Sequence, residues 1–276
     1  MLKIIKFAAA LLAACLPARA AFAAWKLNMP RGATELSHDI YGLHMLTLWV
    51  CVAIGIAVFA VIIYSVVKFR HSQSSVPAKF SHSTKAEIIW TLIPCAILIA
   101  LAIPAAATLV KIEDTRDSAL SVKVTGYQWK WHYEYLDQGI DFFSTLARSS
   151  NAARQLNSGI DPASVENYLL EVDNPLVVPV GAKVRLLLTA ADVIHAWWMP
   201  EFGMKKDAIP GFVNELWFRA DAIGIYRGQC AELCGRDHGF MPVVVDVRSQ
   251  QDYESWLQSQ QPRAIETTAN AEMPPE

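Results

Sequence analysis

Charge is scarce in this chain of 276 residues: charged side chains make up 18% and the formal balance is −2 at pH 7. Without a basic excess, neither nucleic acid nor a polybasic membrane patch is indicated as a partner. Cysteine is scarce too. Of the five, Cys15, Cys51 and Cys95 lie inside apolar runs, so a disulfide framework is not indicated. Only Cys230 and Cys234 occupy a hydrophilic stretch and need a chemical explanation. No Cys-x-x-Cys-His follows them, so a fused c-type haem domain is not expected. What abounds is apolar side chains, 53% of the chain, and the excess sits in three N-terminal runs.

The first run begins with Lys3 and Lys6, continues from Phe7 to Leu16, and ends at Ala18-Arg19-Ala20 and Ala21-Phe22-Ala23. A charged head, a short apolar stretch and A-x-A sites are the layout of a secretory signal peptide, assigned to residues 1–24. Leu12-Ala13-Ala14-Cys15 also fits a lipoprotein site, so lipidation of Cys15 stays open beside cleavage after Ala20 or Ala23. The next two runs, Leu43 to Val67 and Ile88 to Val110, carry no Asp, Glu, Lys or Arg. Each exceeds the roughly 20 residues a helix needs to cross an apolar layer of about 30 Å. Pro94 and Pro104 fall in the second, where membrane helices tolerate them. Between the runs stand Lys68, Arg70, Lys79 and Lys85 against Glu87, which places the loop in the cytoplasm. A two-helix transmembrane hairpin is expected over residues 25–118, with the C-terminal portion on the outer side.

From residue 119 to 262 the pattern changes to short β-branched or alternating runs. They are Ser121 to Thr125, Tyr168 to Val172, Leu176 to Val178, Lys183 to Thr189, Glu215 to Arg219, Ile225 to Gly228 and Val243 to Val247. Turn formers such as Asp173-Asn174-Pro175 and Ile209-Pro210-Gly211 separate them. The expectation is an all-β sandwich or small barrel. The polar stretch 137–166 reads as an insertion, mostly loop with one helical turn around Ala152 to Leu156. The Pro- and Glu-rich tail, 263–276, reads as disordered.

Cys230, Cys234 and His238 recur every four residues and Met241 follows just before the last strand, with His195 upstream after an earlier strand. Two thiolates, two imidazoles and a thioether are a soft-ligand set. A Cys230–Cys234 disulfide would leave the histidine and methionine unexplained. A structural zinc would leave Met241 idle, and a one-copper blue site would leave a thiolate idle. Two copper ions sharing both sulfurs use every group, with the Glu232 carbonyl as a second weak donor. Such a centre has no open position for a substrate, which favours electron transfer over bond-breaking.

Gly228-Gln229-Cys230-Ala231-Glu232-Leu233-Cys234-Gly235, followed by His238, Phe240, Met241 and Pro242, resembles the signature of subunit II of the haem–copper cytochrome c oxidases. The resemblance implies a two-helix transmembrane hairpin followed by an all-β cupredoxin-like Greek-key sandwich, residues 119–262. It implies a binuclear copper A centre held by His195, Cys230, Glu232 through its carbonyl, Cys234, His238 and Met241. It further implies magnesium shared with oxidase subunit I through the Glu232 side chain, and Asp207 in a segment facing that subunit. Within Tyr127-Gln128-Trp129-Lys130-Trp131-His132-Tyr133-Glu134-Tyr135, Trp129 would be where electrons enter. Lys130 departs from the aromatic usual at its position. Glu134, Asp173 and Asp192 match acids that attract cytochrome c, and Glu87 matches the glutamate at the entrance of a proton path. The implied partners are subunits I and III, cytochrome c and membrane lipid, in a bacterial inner membrane with the copper domain on the periplasmic side.

Overall fold

The computed structural model describes residues 28–70 and 81–260. The signal-peptide reading, the position of Lys79 and the tail reading fall outside the described residues.

Two long helices come first, α1 (Glu35–Lys68, 34 residues) and α2 (Thr84–Ile112, 29 residues). Both are apolar all round rather than on one stripe, as helices facing lipid or other spans are. The runs Leu43 to Val67 and Ile88 to Val110 lie inside them, with Pro94 and Pro104 within α2. Thr34 starts α1 with a capping box, its side chain accepting from the Ser37 N–H while the Ser37 hydroxyl accepts from the Thr34 N–H.

The rest is a sandwich of two five-stranded sheets. One is ordered β3 (Ile140–Ser144), β2 (Lys130–Tyr135), β1 (Leu120–Tyr127), β5 (Lys183–Ala190), β8 (Asn214–Arg219). The other is ordered β4 (Leu176–Pro179), β10 (Pro242–Arg248), β9 (Gly224–Cys230), β6 (His195–Met199), β7 (Met204–Ala208). β1 pairs parallel with β5, and β4 parallel with β10, so each sheet is mixed and the chain crosses repeatedly between them. The core follows the strand period of two. Val184, Leu186 and Leu188 point inward from β5, and Trp131, Tyr133 and Tyr135 from β2. Trp197, Met199, Val243, Val245 and Val247 face them from the second sheet.

Three expectations are corrected. Tyr168 to Val172 is not a strand: Asn167 and Leu169 adopt positive φ (48° and 64°), and only Val172 forms a bridge, to Leu146. The stretch 137–166 is largely turn and irregular backbone, but it also supplies strand β3, and its helical turn, α3 (Arg148–Ala153), begins earlier than expected. A C-terminal helix, α4 (Gln250–Gln260), was not anticipated; its Tyr253 and Trp256 pack together and Trp256 reaches the Tyr135 ring.

The hairpin and the sandwich meet through directional bonds. Ala33 N–H donates to the Glu201 carbonyl at 2.7 Å and the Thr34 hydroxyl to the Phe202 carbonyl at 2.9 Å. At the end of α2, the Trp217 indole donates to the Lys111 carbonyl at 3.1 Å, and Lys206 pairs with Glu113 at 3.2 Å. Lys111 closes the hairpin by bonding Glu35 and Asp39, each at 2.6 Å.

Candidate metal centre

Cys230 ends β9 and His195 begins β6, and these neighbouring strands pair at Trp197 and Cys230. The loop from Ala231 to Met241 then folds back, held by Ala231 N–H on the Ala196 carbonyl and Cys230 N–H on the Met241 carbonyl, both at 3.0 Å. Strand pairing therefore brings together residues far apart in the chain. The His195 Nδ1 lies 3.9 Å from Cys230 Sγ, Cys230 Sγ lies 3.8 Å from Cys234 Sγ, and Cys234 Sγ lies 3.5 Å from His238 Nδ1. The Glu232 carbonyl is 3.4 Å from Cys230 Sγ while its side chain is exposed. Met241 is buried, at 2% exposure, and both cysteines are free thiols.

The imidazole of His195 is fully buried and its orientation is fixed from both sides. Its Nε2 meets Asp192 Oδ1 at 2.9 Å, leaving Nδ1 for the sulfurs. Asp192 is itself held, its carboxylate accepting from the Val193 N–H at 2.7 Å and the Gln128 N–H at 2.8 Å. Burial opposes the Asp192 charge, but the bonds from His195, Val193 and Gln128 together hold its pKa below the usual range. Burial likewise opposes a charged His195, and Cys230 and Asp192 outweigh it, so its pKa rises. For the thiols, burial penalises both. Hydrogen bonds with His195 and with the Ala196 backbone on β6 bring Cys230 below its ordinary value, whereas burial and the neighbouring Cys230 push Cys234 up. Two thiolates at this separation repel each other, and a bound cation is what would hold both ionised.

Trp129 sits in the turn between β1 and β2, not on a strand, and is half-buried. Its indole N–H donates to the Cys234 carbonyl at 3.2 Å, beside Gln128 Nε2 on the same oxygen at 2.9 Å. The Arg236 guanidinium lies over the ring, 5.4 Å from its centre. Trp131, Tyr133 and Tyr135, on the alternating positions that follow, are core. Lys130 lies over the Phe143 ring at 4.0 Å.

The other expected residues lie apart from the sulfurs. Glu134 bonds Lys123 at 2.8 Å, and Asp173 accepts from the Thr145 N–H and hydroxyl at 2.7 and 2.8 Å. Asp207 is exposed on β7, opposite Ala196. Glu87 lies in the first turn of α2; at about 1.5 Å per residue it is roughly 40 Å from the sandwich end of that helix. Several contributors are absent from the ligand motif. Asp192 lies three positions from His195, but Gln128 reaches the Cys234 carbonyl across 106 positions and Arg154 reaches Asp237 across 83, and nothing local in the sequence signals either.

A β-sandwich with a His/Cys/Cys/His cluster beside two paired strands, behind two helices long and apolar enough to cross a membrane, is the build of a membrane-anchored cupredoxin-like domain. Residues 120–248 match the periplasmic domain of cytochrome c oxidase subunit II, and residues 23–107 match its transmembrane domain. The chain is 39% identical to a probable cytochrome c oxidase subunit 2 of Rickettsia bellii over 236 residues, 85% of this chain and 84% of that relative. It is 38% identical to cytochrome c oxidase subunit 2 of Cereibacter sphaeroides, covering 82% of this chain and 77% of that relative. Among solved structures, the periplasmic domain of subunit II of cytochrome oxidase of Bradyrhizobium japonicum is 41% identical, with a TM-score of 0.47, covering 53% of this chain and 96% of that one. The chain belongs to the cytochrome c oxidase subunit II family. It is an inner-membrane protein with two spans and a periplasmic domain, and a subunit of a haem–copper oxidase.

Proposed function

We propose that this chain is the subunit through which electrons enter an aerobic terminal oxidase, taking them from cytochrome c and passing them to haem a of subunit I. The observation that carries the reading is the cluster itself: two free thiols 3.8 Å apart, each beside an imidazole nitrogen. The donor set fits a binuclear copper A centre, with His195, Cys230, Cys234, His238, Met241 and the Glu232 carbonyl as the groups that would hold it. When bound, the copper pair supplies a one-electron redox couple.

The chain's own residues do the rest. Asp192 keeps the His195 Nδ1 turned to the sulfurs. The buried Met241 and the strand pairing hold water away from the thiols. The Trp129 indole, bonded to the Cys234 carbonyl, gives a short connection from the surface to a ligand, which supports it as the point of electron input. Glu232 faces two ways, carbonyl to Cys230 and carboxylate outward, a disposition that suits a hard cation such as magnesium at a boundary with subunit I. Exposed Asp207 belongs to the same proposed boundary. Glu134, Asp173 and Asp192 are proposed to contribute negative potential that speeds the encounter with cytochrome c, an effect that salt screens. Glu87, at the cytoplasmic end of α2, is proposed as the entrance of the proton path that serves oxygen reduction and pumping in the partner subunit.

The test is an absorption and spin-resonance spectrum of the copper-loaded full chain. A purple, mixed-valence two-copper signal is expected, lost in Cys230→Ser. Trp129→Ala should keep that signal while slowing reduction by cytochrome c at least tenfold. A colourless single-metal species in the wild type would overturn the reading.

A further inference from the structure

His238 opens a single 3-10 turn, His238–Phe240. Gly235 and Gly239 bracket the histidine, and Gly235 takes φ +113°, a region open mainly to glycine. Within the stretch 235–240 the backbone makes only short-range bonds, His238 N–H to the Gly235 carbonyl at 3.2 Å and Phe240 N–H to the Asp237 carbonyl at 2.9 Å. Its ends are tied, by Gln128 and Trp129 on the Cys234 carbonyl and by the Cys230 N–H on the Met241 carbonyl, so what remains to be fixed is the turn between them. Arg154, at the end of α3, touches it twice. Its Nη2 donates to Asp237 Oδ2 at 3.3 Å, and its guanidinium lies 4.3 Å from the centre of the Phe240 ring. Asp237 precedes His238 and Phe240 precedes Met241, so each contact falls on the residue immediately before an expected ligand.

The guanidinium is aimed rather than free, because its Nε donates to Asn151 Oδ1 at 2.8 Å. The segment that presents it is also fastened. Ala147 N–H donates to the Glu171 carbonyl at 2.9 Å, and the fully buried Ser150 hydroxyl accepts from the Leu169 N–H at 3.1 Å. Glu171 in turn pairs with Arg227 of β9 at 2.7 Å, the strand that ends in Cys230. On the loop side Asp237 is mostly covered, and its other oxygen has Arg236 at 3.3 Å, a partner that is 81% exposed and weakly held.

From this geometry we infer that Arg154 is a positioning residue: the segment between β3 and β4 clamps the metal loop through Arg154, and so sets how firmly His238 and Met241 hold metal. The inference rests on the reading of the loop as a copper site, although the clamp itself is a property of the metal-free chain. Planarity matters, because Lys at this place keeps the charge but neither the fork to Asp237 and Asn151 nor the face over Phe240.

Two measurements on the full chain decide it. In the metal-free protein, amide exchange across Arg236 to Phe240 should quicken at least tenfold in Arg154→Ala and by less in Arg154→Lys. In the copper-loaded protein, Arg154→Ala should lose copper to a Cu(I) chelator about 10–100-fold faster, the size typical of losing a supporting contact behind a ligand. Asp237→Asn combined with Arg154→Ala should add little to Arg154→Ala alone. The thermal midpoint identifies a variant that has unfolded, and in that case Arg154→Lys alone decides. Exchange and copper loss within twofold of wild type in the folded variant overturn the clamp. If the wild type forms no two-copper centre, the functional reading fails, and the exchange experiment still decides the clamp.

Discussion

The His195 ring occupies the space where a side chain on Gly126 would be. A Cβ there would meet His195 Cδ2 at 2.7 Å and Cγ at 3.0 Å. Gly126 lies inside β1, where glycine otherwise weakens a strand, so its use answers the close approach of the imidazole. Gly126→Ala should therefore displace His195, costing about 1–3 kcal/mol as overpacked cores do. Calorimetry should show a lower midpoint, and the copper spectrum should change because one imidazole has moved. A variant that melts and absorbs like the wild type would contradict this packing. The candidate donors Cys230, Cys234, His238 and Met241 were legible because they share one loop. The residues that aim them were not, since a glycine under a ring or an arginine 83 positions away carries no local pattern.

At the scale of elements, β4 depends on one hydroxyl. It is an edge strand, paired only to β10, and it faces β2 across the sandwich. The fully buried Tyr135 OH donates to the Val177 carbonyl at 2.7 Å and accepts from the Val177 N–H at 2.9 Å, tying the two sheets together. Tyr135→Phe keeps the ring packing on Trp256 but leaves a buried N–H and carbonyl unpaired, at a cost of about 1–3 kcal/mol. Denaturant titration should show a lower midpoint with an unchanged slope; a midpoint within error of wild type would mean that water replaces the hydroxyl. Tyr135 was legible as core from the period of β2, but its bond across the sandwich was not. Other elements show the same limit. β5 announced itself by an alternation broken only at Leu187, whereas β3, β6 and β7 are too short for a period to emerge, and pairing rather than propensity makes them strands. Tyr168 to Val172 had strand composition but no neighbour to pair with beyond Val172.

At the scale of the whole molecule, the loop proposed to hold copper would serve an oxidase only if the sandwich is held in a fixed attitude on its membrane anchor. Among the bonds that do this, Glu215 of β8 is central. It accepts from Arg185 of β5 at 2.6 and 3.0 Å and from the Thr115 hydroxyl, just beyond α2, at 2.8 Å. The Arg185 bonds, helped by Thr115, outweigh burial and hold its pKa below the ordinary 4.5. Because the folded pKa is the lower one, the unfolded chain binds more protons as the two values are crossed, so stability rises with pH there. The contribution is complete above the ordinary value and is lost as pH falls through the folded one. The side chain is 36% exposed, so screening keeps the gain below about 1 kcal/mol. Glu215→Gln should then melt a few degrees below wild type near pH 7, with the gap closing as the pH falls below the ordinary glutamate value. A gap that stays constant between about pH 3 and 7 would show that Glu215 acts by packing and not by charge.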